Sequence, residues 1–177
     1  MGEFKRLARK LVHKGRIIDV YEDDMLTPSG DTVTYDIVEH KGAASMVAVD
    51  DEGRILMVRQ YRTAIKKESL ELPAGGINPG EDTKNCAMRE LEEETGYRPL
   101  EAEHLLDVYT SVGFCNEKIY LYYTDKLVPS KQNLDEDEYV NVEHYTLEEL
   151  IQMIHEGKIE DSKTVAGIFT YKSIMGL

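Results

Sequence analysis

Basic residues are in short supply in this chain. Among 177 residues, lysine and arginine number 21 against 34 aspartates and glutamates, a formal charge of −13. Such a surface repels the phosphates of DNA and RNA, so nucleic acid is not an expected partner. Cysteine is scarcer still. Cys86 and Cys115 provide neither a metal-ligand spacing nor a disulfide framework, which agrees with a reducing compartment. No apolar run approaches the roughly 20 residues needed to span a bilayer. The opening Met1-Gly2-Glu3-Phe4-Lys5-Arg6 has no apolar signal segment, and Arg6 stands where a myristoylation motif wants serine or threonine. A cytoplasmic protein with no membrane partner is expected. Internal repeats, low-complexity tracts and Pro/Gly/Ser linkers are also lacking, so the chain reads as one ordinary domain with at most a small appendage.

Two strands open the chain, over 15–25 and 31–40, with turn chemistry at Pro28-Ser29-Gly30-Asp31 between them. A second hairpin is expected from 45–49 and 55–61, flanking Asp50-Asp51-Glu52-Gly53. After the glycine-rich segment 73–80 comes a helix, capped by Asp82 or Thr83 and stopped at Gly96. Strands follow over 103–110, 118–124 and 139–145. Thr146-Leu147-Glu148-Glu149 is a capping box for a helix ending near Gly157. Asp161-Ser162 opens a last helix whose inner face is expected at Val165, Ile168, Phe169, Tyr171 and Ile174. Few strand-helix-strand crossovers occur, which favours a mixed or antiparallel sheet with helices on it. The histidines His13, His40, His104, His144 and His155 share no spacing and read as structural or surface residues.

The helix after the glycine-rich segment carries charge in the wrong place. At 3.6 residues per turn, Glu90, Glu93 and Glu94 fall within about 100° on one face, while Glu92 points away. Like charges three and four residues apart cost roughly 0.2–0.5 kcal/mol per pair, and anions in a last turn oppose the helix dipole by roughly 0.3–1 kcal/mol each. The local deficit is on the order of 1–3 kcal/mol. Arg89 offsets part of it through Glu92 or Glu93; a cation on the Glu90–Glu94 face offsets more. Hard carboxylate oxygens select magnesium, manganese or calcium over zinc. Taken alone, an acidic run is most often a solvated face. Ala74-Gly75-Gly76-Ile77-Asn78-Pro79-Gly80-Glu81 just before it changes the odds, because its backbone can approach an ion and phosphates closely.

Gly75, five residues, Glu81, seven residues, Arg89-Glu90-Leu91, one residue, Glu93-Glu94, one residue, Gly96-Tyr97: this series resembles the Nudix box. Tyr97 alone departs, at a packing position where the pattern prefers an aliphatic residue. Beyond the box, Met57 to Arg62, Glu71 to Gly75, Tyr109 to Phe114 and Leu134 to Glu138 make the chain similar to ADP-ribose pyrophosphatases over nearly its whole length. That resemblance implies an α/β/α sandwich with a mixed sheet over 42–177, preceded by a small antiparallel β segment over 1–41 that serves a homodimer. It implies magnesium, with manganese able to substitute, held by the Ala74 carbonyl, Glu90, Glu94 and Glu93. Arg89 is expected to orient the carboxylates. Glu138 is the best match to the general base, with Glu136 next. Arg62, Gly113 and Glu117 are expected to contact substrate. Val112 stands where the group usually carries proline, and the arginine often found near Tyr35-Asp36 is missing. The implied reaction is hydrolysis of ADP-ribose to AMP and ribose 5-phosphate. Other nucleoside diphosphate sugars, or a non-catalytic ADP-ribose-binding module, are the alternatives.

Overall fold

The computed structural model describes residues 2–136 and 138–176; Asp137, inside the acidic stretch after Leu134, lies outside them. Among the described residues, twelve strands and three helices form two compact units. The first unit comprises Met1–Gly42 and Tyr109–Lys118. It contains an antiparallel meander of β1 (Lys5–Lys14), β2 (Ile18–Leu26) and β3 (Thr32–His40). The turn at 28–31 lies where the sequence places it, but β1 has no counterpart among the expected strands. Lys-Arg-Leu-Ala-Arg-Lys-Leu-Val-His-Lys shows no period-two apolar face, and nearly all of it is exposed. It is fastened instead by charge: Arg9 donates from Nε and Nη2 to Asp23 at 2.6 Å each, Lys10 donates to Glu22 at 2.9 Å, and Arg9 also reaches Glu39. The Arg9 guanidinium lies 4.6 Å from the Tyr21 ring centroid, adding a cation–π contact. Return hydrogen bonds between Val38 and the 114–116 segment tie the second stretch into the same unit.

The second unit, Ala43–Val108 and Ile119–Leu177, is a layered α/β structure. One sheet runs β7 (Ala74–Gly76), β4 (Ala43–Ala48), β10 (Lys118–Thr124), β9 (Glu103–Tyr109), with β4 and β10 parallel. A second runs β12 (Val140–Tyr145), β5 (Ile55–Arg62), β6 (Lys67–Glu71), all antiparallel. The short β8 (Tyr97–Pro99) pairs with β11 (Leu127–Pro129). Helices α1 (Thr83–Thr95), α2 (Leu147–His155) and α3 (Ser162–Met175) complete it. The expected hairpin from 45–49 and 55–61 does not form: β4 and β5 belong to different sheets and share only the bridge Val49–Ile55. The turn at 50–53 suits a hairpin, but β4 is buried along its length and takes two other partners, β10 and β7.

Alternation along β4 divides the core. Ala44, Met46 and Ala48 pack with Cys86, Ala87 and Leu91 of α1, while Val47 and Val49 pack with Leu147, Leu150, Ile168 and Tyr171 of α2 and α3. β5 and β10 alternate likewise, with Leu56 and Tyr122 toward α1 and Ile55, Met57, Ile119 and Leu121 toward the opposite layer. Sheet between two helical layers is the α/β/α sandwich expected. Tyr97 packs against the α1 cluster, in keeping with a packing position. The α3 face needs correction. Phe169 and Ile174 are exposed, and Lys163, Thr164, Gly167, Ile168 and Tyr171 are the buried set. A glycine and two polar residues hide that face from any apolar count. A Cβ on Gly167 would stand 2.7 Å from Leu72 Cδ1 and 2.8 Å from Leu121 Cδ2, both on fully buried side chains. Gly167→Ala should therefore lose about 1–2 kcal/mol, overpacking outweighing the better helix propensity of alanine. Urea titration reads this as a lower midpoint at unchanged m; a midpoint at or above wild type would contradict the packing.

Candidate active site

The site is built where strand β7 meets helix α1. Asp82 caps α1 by accepting from Lys84 N and Asn85 N, and Gly96 ends it at φ 74°, a left-handed position that favours glycine. β7 pairs with β4 only through 74–76, which sets Gly75 directly over the helix. A Cβ at Gly75 would lie 2.1 Å from Glu90 Cδ, so no other residue admits the Glu90 carboxylate so close to this backbone. Ala74 N–H donates to Glu94 Oε2 at 2.9 Å, and Glu94 is only 3% exposed.

Arg89 organises the remaining acids. It donates to Glu81 at 2.8 and 3.0 Å, to Glu90 at 2.7 Å, to Glu93 at 2.7 Å and to the Gly76 carbonyl at 3.2 Å. Of the two partners the sequence offers, Glu92 and Glu93, Arg89 takes Glu93; Glu92 accepts from Ser130 Oγ at 2.5 Å. The Arg89 bond, with help from Asn78 N–H, holds the Glu81 carboxyl down at about 2. Burial pushes Glu90 upward despite Arg89. Burial pushes Glu94 up to about 8, with Glu90 and Glu138 repelling its charge and the neutral Ala74 amide opposing the shift only in part. Burial likewise pushes the Cys86 thiol up to about 12, an inert group under the Gly75 and Gly76 carbonyls.

A polar cleft of about 410 Å³ opens on this face, lined by Gly75, Gly76, Asn78, Arg89, Glu90, Glu93, Asn133, Asp135 and Glu138. Glu138 is thus beside Glu90 and Glu93, whereas Glu136 and the buried Glu94 are not among its lining. The loop bearing Glu138 is fixed to the end of α1. Asn133 N–H donates to the Glu93 carbonyl at 2.8 Å, Gln132 Nε2 to the Glu94 carbonyl at 2.7 Å, and Ser130 N–H to the Gly96 carbonyl at 2.7 Å. These bonds satisfy carbonyls that a helix C-terminus leaves open. No reading of the sequence anticipated them; the only signal is a Ser-Lys-Gln-Asn run just ahead of the acidic stretch.

The remaining expected residues lie elsewhere. Arg62 donates from Nε and Nη2 to the two Glu71 oxygens at 2.8 and 2.7 Å. In the first unit, Glu117 accepts from Thr110 Oγ1 at 2.9 Å and faces His40 Nδ1 at 3.3 Å. Gly113 lines an apolar pocket of about 320 Å³ with Ile37, Tyr109, Val112 and Phe114.

The donors of the cleft fit a hard divalent ion, being carboxylates with a glycine backbone pressed against one of them. Among the described residues, no three Asp, Glu, His or Cys side chains converge as a preformed cage. Glu90 and Glu93 hold the Arg89 guanidinium in this conformation.

A family model, the NUDIX domain, matches residues 39–167. The chain belongs to the Nudix family. It is 38% identical over 168 residues to the ADP-ribose pyrophosphatase of Bacillus subtilis (strain 168), covering 94% of this chain and 91% of that protein. It is 42% identical over 169 residues to the methanol dehydrogenase activator of Bacillus methanolicus, covering 94% and 91%. A solved structure titled as an ADP compounds hydrolase superposes with a TM-score of 0.88 over 99% of this chain and 96% of that one, at 20% identity, a likeness of fold.

The buried Glu94 of the Nudix helix gives the fold a pH dependence of definite sign. An acid whose folded pKa lies above its unfolded value stabilises the fold most when protonated, and that contribution disappears as pH rises through the folded pKa. For Glu94 the window runs from the ordinary 4.5 to about 8. In chelator, the wild-type melting temperature should fall across this window more than that of Glu94→Gln. Parallel pH profiles for the two proteins would exclude the buried acid as the cause.

Proposed function

We propose that this Nudix chain hydrolyses the pyrophosphate bond of ADP-ribose in a magnesium-dependent reaction, with manganese an adequate substitute, yielding AMP and ribose 5-phosphate. The observation that carries the reading is that Glu90, Glu93 and Glu138 line one cleft beside Gly75. The similarity to an ADP-ribose pyrophosphatase over 94% of the chain supports the choice of substrate. When bound, magnesium neutralises charge that develops on the phosphate oxygens and favours attack by water. Glu90 and Glu94, with Glu93 and the Ala74 carbonyl, hold it. Arg89 gathers Glu81, Glu90 and Glu93 and stays charged throughout. Glu138 accepts the proton of the attacking water. Arg62, Gly113 and Glu117 contact the substrate.

Exposed Phe4, Leu7, Leu11, Val12, Val33 and Tyr35 on the first unit support a homodimer, since a lone soluble protein seldom leaves so many large apolar side chains open in one region. The segment 1–41 would then serve dimerisation and 42–177 the chemistry. No helix among the described residues is long and apolar enough to cross a membrane. A cytoplasmic location, with no nucleic acid partner, suits the −13 charge.

Glu138→Gln should lower kcat by roughly 10²–10⁴ with little change in KM, and Glu136→Gln should act nearly as wild type. The reverse pattern transfers the base to Glu136. A second reading, another nucleoside diphosphate sugar, is favoured by Val112, which is 82% exposed at the rim of the apolar pocket. Steady-state kcat/KM with ADP-ribose, ADP-glucose and GDP-mannose decides between them. ADP-ribose should lead by at least about tenfold, on the order of 1.4 kcal/mol in transition-state binding. An equal lead for GDP-mannose selects the second reading, and turnover that survives EDTA removes the metal from both.

A further inference from the structure

Lys163 is the only lysine or arginine among the buried described residues, at 6% exposure, and the cleft does not use it. Its Nζ donates to Glu71 Oε2 at 2.5 Å and to Asp161 Oδ2 at 2.9 Å. Asp161 is the N-cap of α3 and accepts from Thr164 N at 3.0 Å and Thr164 Oγ1 at 2.6 Å. Thr164 Oγ1 in turn accepts from Leu72 N–H at 2.8 Å. The first turn of α3 therefore grips two consecutive residues, Glu71 by its carboxylate and Leu72 by its backbone. Next in line, the Pro73 carbonyl accepts from Ser45 Oγ at 2.8 Å and Met46 N at 3.1 Å, and Ala74 N–H meets Glu94. Four residues, 71 to 74, are tied one after another, ending on the acidic helix.

Stability alone accounts poorly for the lysine. A buried ion pair is weak evidence of stabilisation, because desolvation offsets most of the attraction. Glu71 already has the Arg62 fork on both oxygens. Burial opposes its ionisation, yet Arg62 and Lys163 together hold it at about 2. What the lysine adds is direction: Arg62 reaches Glu71 from the neighbouring strand β5, and Lys163 anchors the same carboxylate to α3. Pro73 has no N–H to donate, so the phase of the peptide at Ala74 depends on anchors to either side.

We propose that Lys163 is a positioning residue for metal binding, which acts through Glu71 and the 72–74 backbone to set Ala74 against Glu94 and Gly75 against Glu90. This rests on the metal reading given above. Groups that orient metal ligands typically change affinity by about 10–100-fold when removed. Lys163→Met keeps the length and leaves Glu71 paired with Arg62, so no buried charge is stranded.

Direct binding of Mn²⁺, read by electron paramagnetic resonance of the free ion, tests this without turnover. For Lys163→Met the dissociation constant should rise roughly tenfold, and the Mg²⁺ concentration for half-maximal activity should rise in parallel. KM measured at saturating Mg²⁺ should stay within about twofold. Thr164→Val, which changes no formal charge but removes the Leu72 link together with the Thr164 hydroxyl's bond to Asp161, should weaken Mn²⁺ in the same direction, and it decides the matter if Lys163→Met fails to fold. Wild-type Mn²⁺ affinity in a folded Lys163→Met protein, or in Thr164→Val where that one does not fold, overturns the proposal and leaves Lys163 a stabilising residue only. Glu94→Gln separates the two readings. If it also binds Mn²⁺ as wild type, the metal reading falls together with this one. If it alone binds weakly, only the role of Lys163 falls.

Discussion

The burial of the Glu94 carboxylate is the constraint on which the Nudix unit depends. A carboxylate at 3% exposure that accepts an amide N–H from Ala74 leaves α1 little freedom to slide or rotate beneath β7. Sliding or rotation would strain that bond and press Glu90 toward the Gly75 backbone, where there is no space even for a methyl group. The apolar layer works in the same direction: Cys86, Ala87 and Leu91 on the opposite side of the helix pack on Ala44, Met46 and Ala48 of β4. Hydrophobic packing fixes the height of α1 over the sheet, and the carboxylates fix its phase.

Such an arrangement opposes helix stability at its C-terminal end, where the dipole disfavours Glu93 and Glu94. The chain compensates with donors from the loop after β11. Ser130, Gln132 and Asn133 each give an N–H to a carbonyl of the last turn or the cap. Those bonds also fix the loop that carries Glu138. Structural repair of an awkward helix end and placement of Glu138 are accomplished by the same three contacts. This explains why a carboxylate over forty residues further along the chain can stand reproducibly beside Glu90.

Much of this was legible in the sequence because it is local. Asp82, Gly96 and the capping box at Thr146 each act within one helix turn, and the three like charges of α1 can be counted on a wheel. What the sequence hid was non-local or unpatterned. β1 has no apolar face because ion pairs to β2 hold it, and ion pairs leave no period-two signature. β4 and β5 read as a hairpin because the turn between them is a good one, yet choice of partner is decided by burial of β4 on both faces. The inner face of α3 includes Lys163, Thr164 and Gly167, which look like solvent-facing residues until Glu71, Leu72 and the leucine tips above Gly167 are placed against them. The pairing of Arg62 with Glu71 was hidden for the same reason, being a contact across the β5–β6 ladder.

Arg89 and Glu94 divide the electrostatic problem of the acidic face between them. Arg89 is the resident counter-cation: three carboxylates share its guanidinium, so they can stand together before any divalent ion enters. Glu94 has no such guanidinium bond, and its positive neighbours Arg62 and Lys163 are both bonded to Glu71. The face is therefore balanced against repulsion at its exposed end and left unbalanced at its buried end. A divalent ion held on this face would share or displace part of the Arg89 fork at Glu90 and Glu93, and would have to displace the proton that burial favours on Glu94. A fully compensated cluster would give a cation little to gain, and a wholly uncompensated one would push its carboxylates apart or protonate them before the ion arrived.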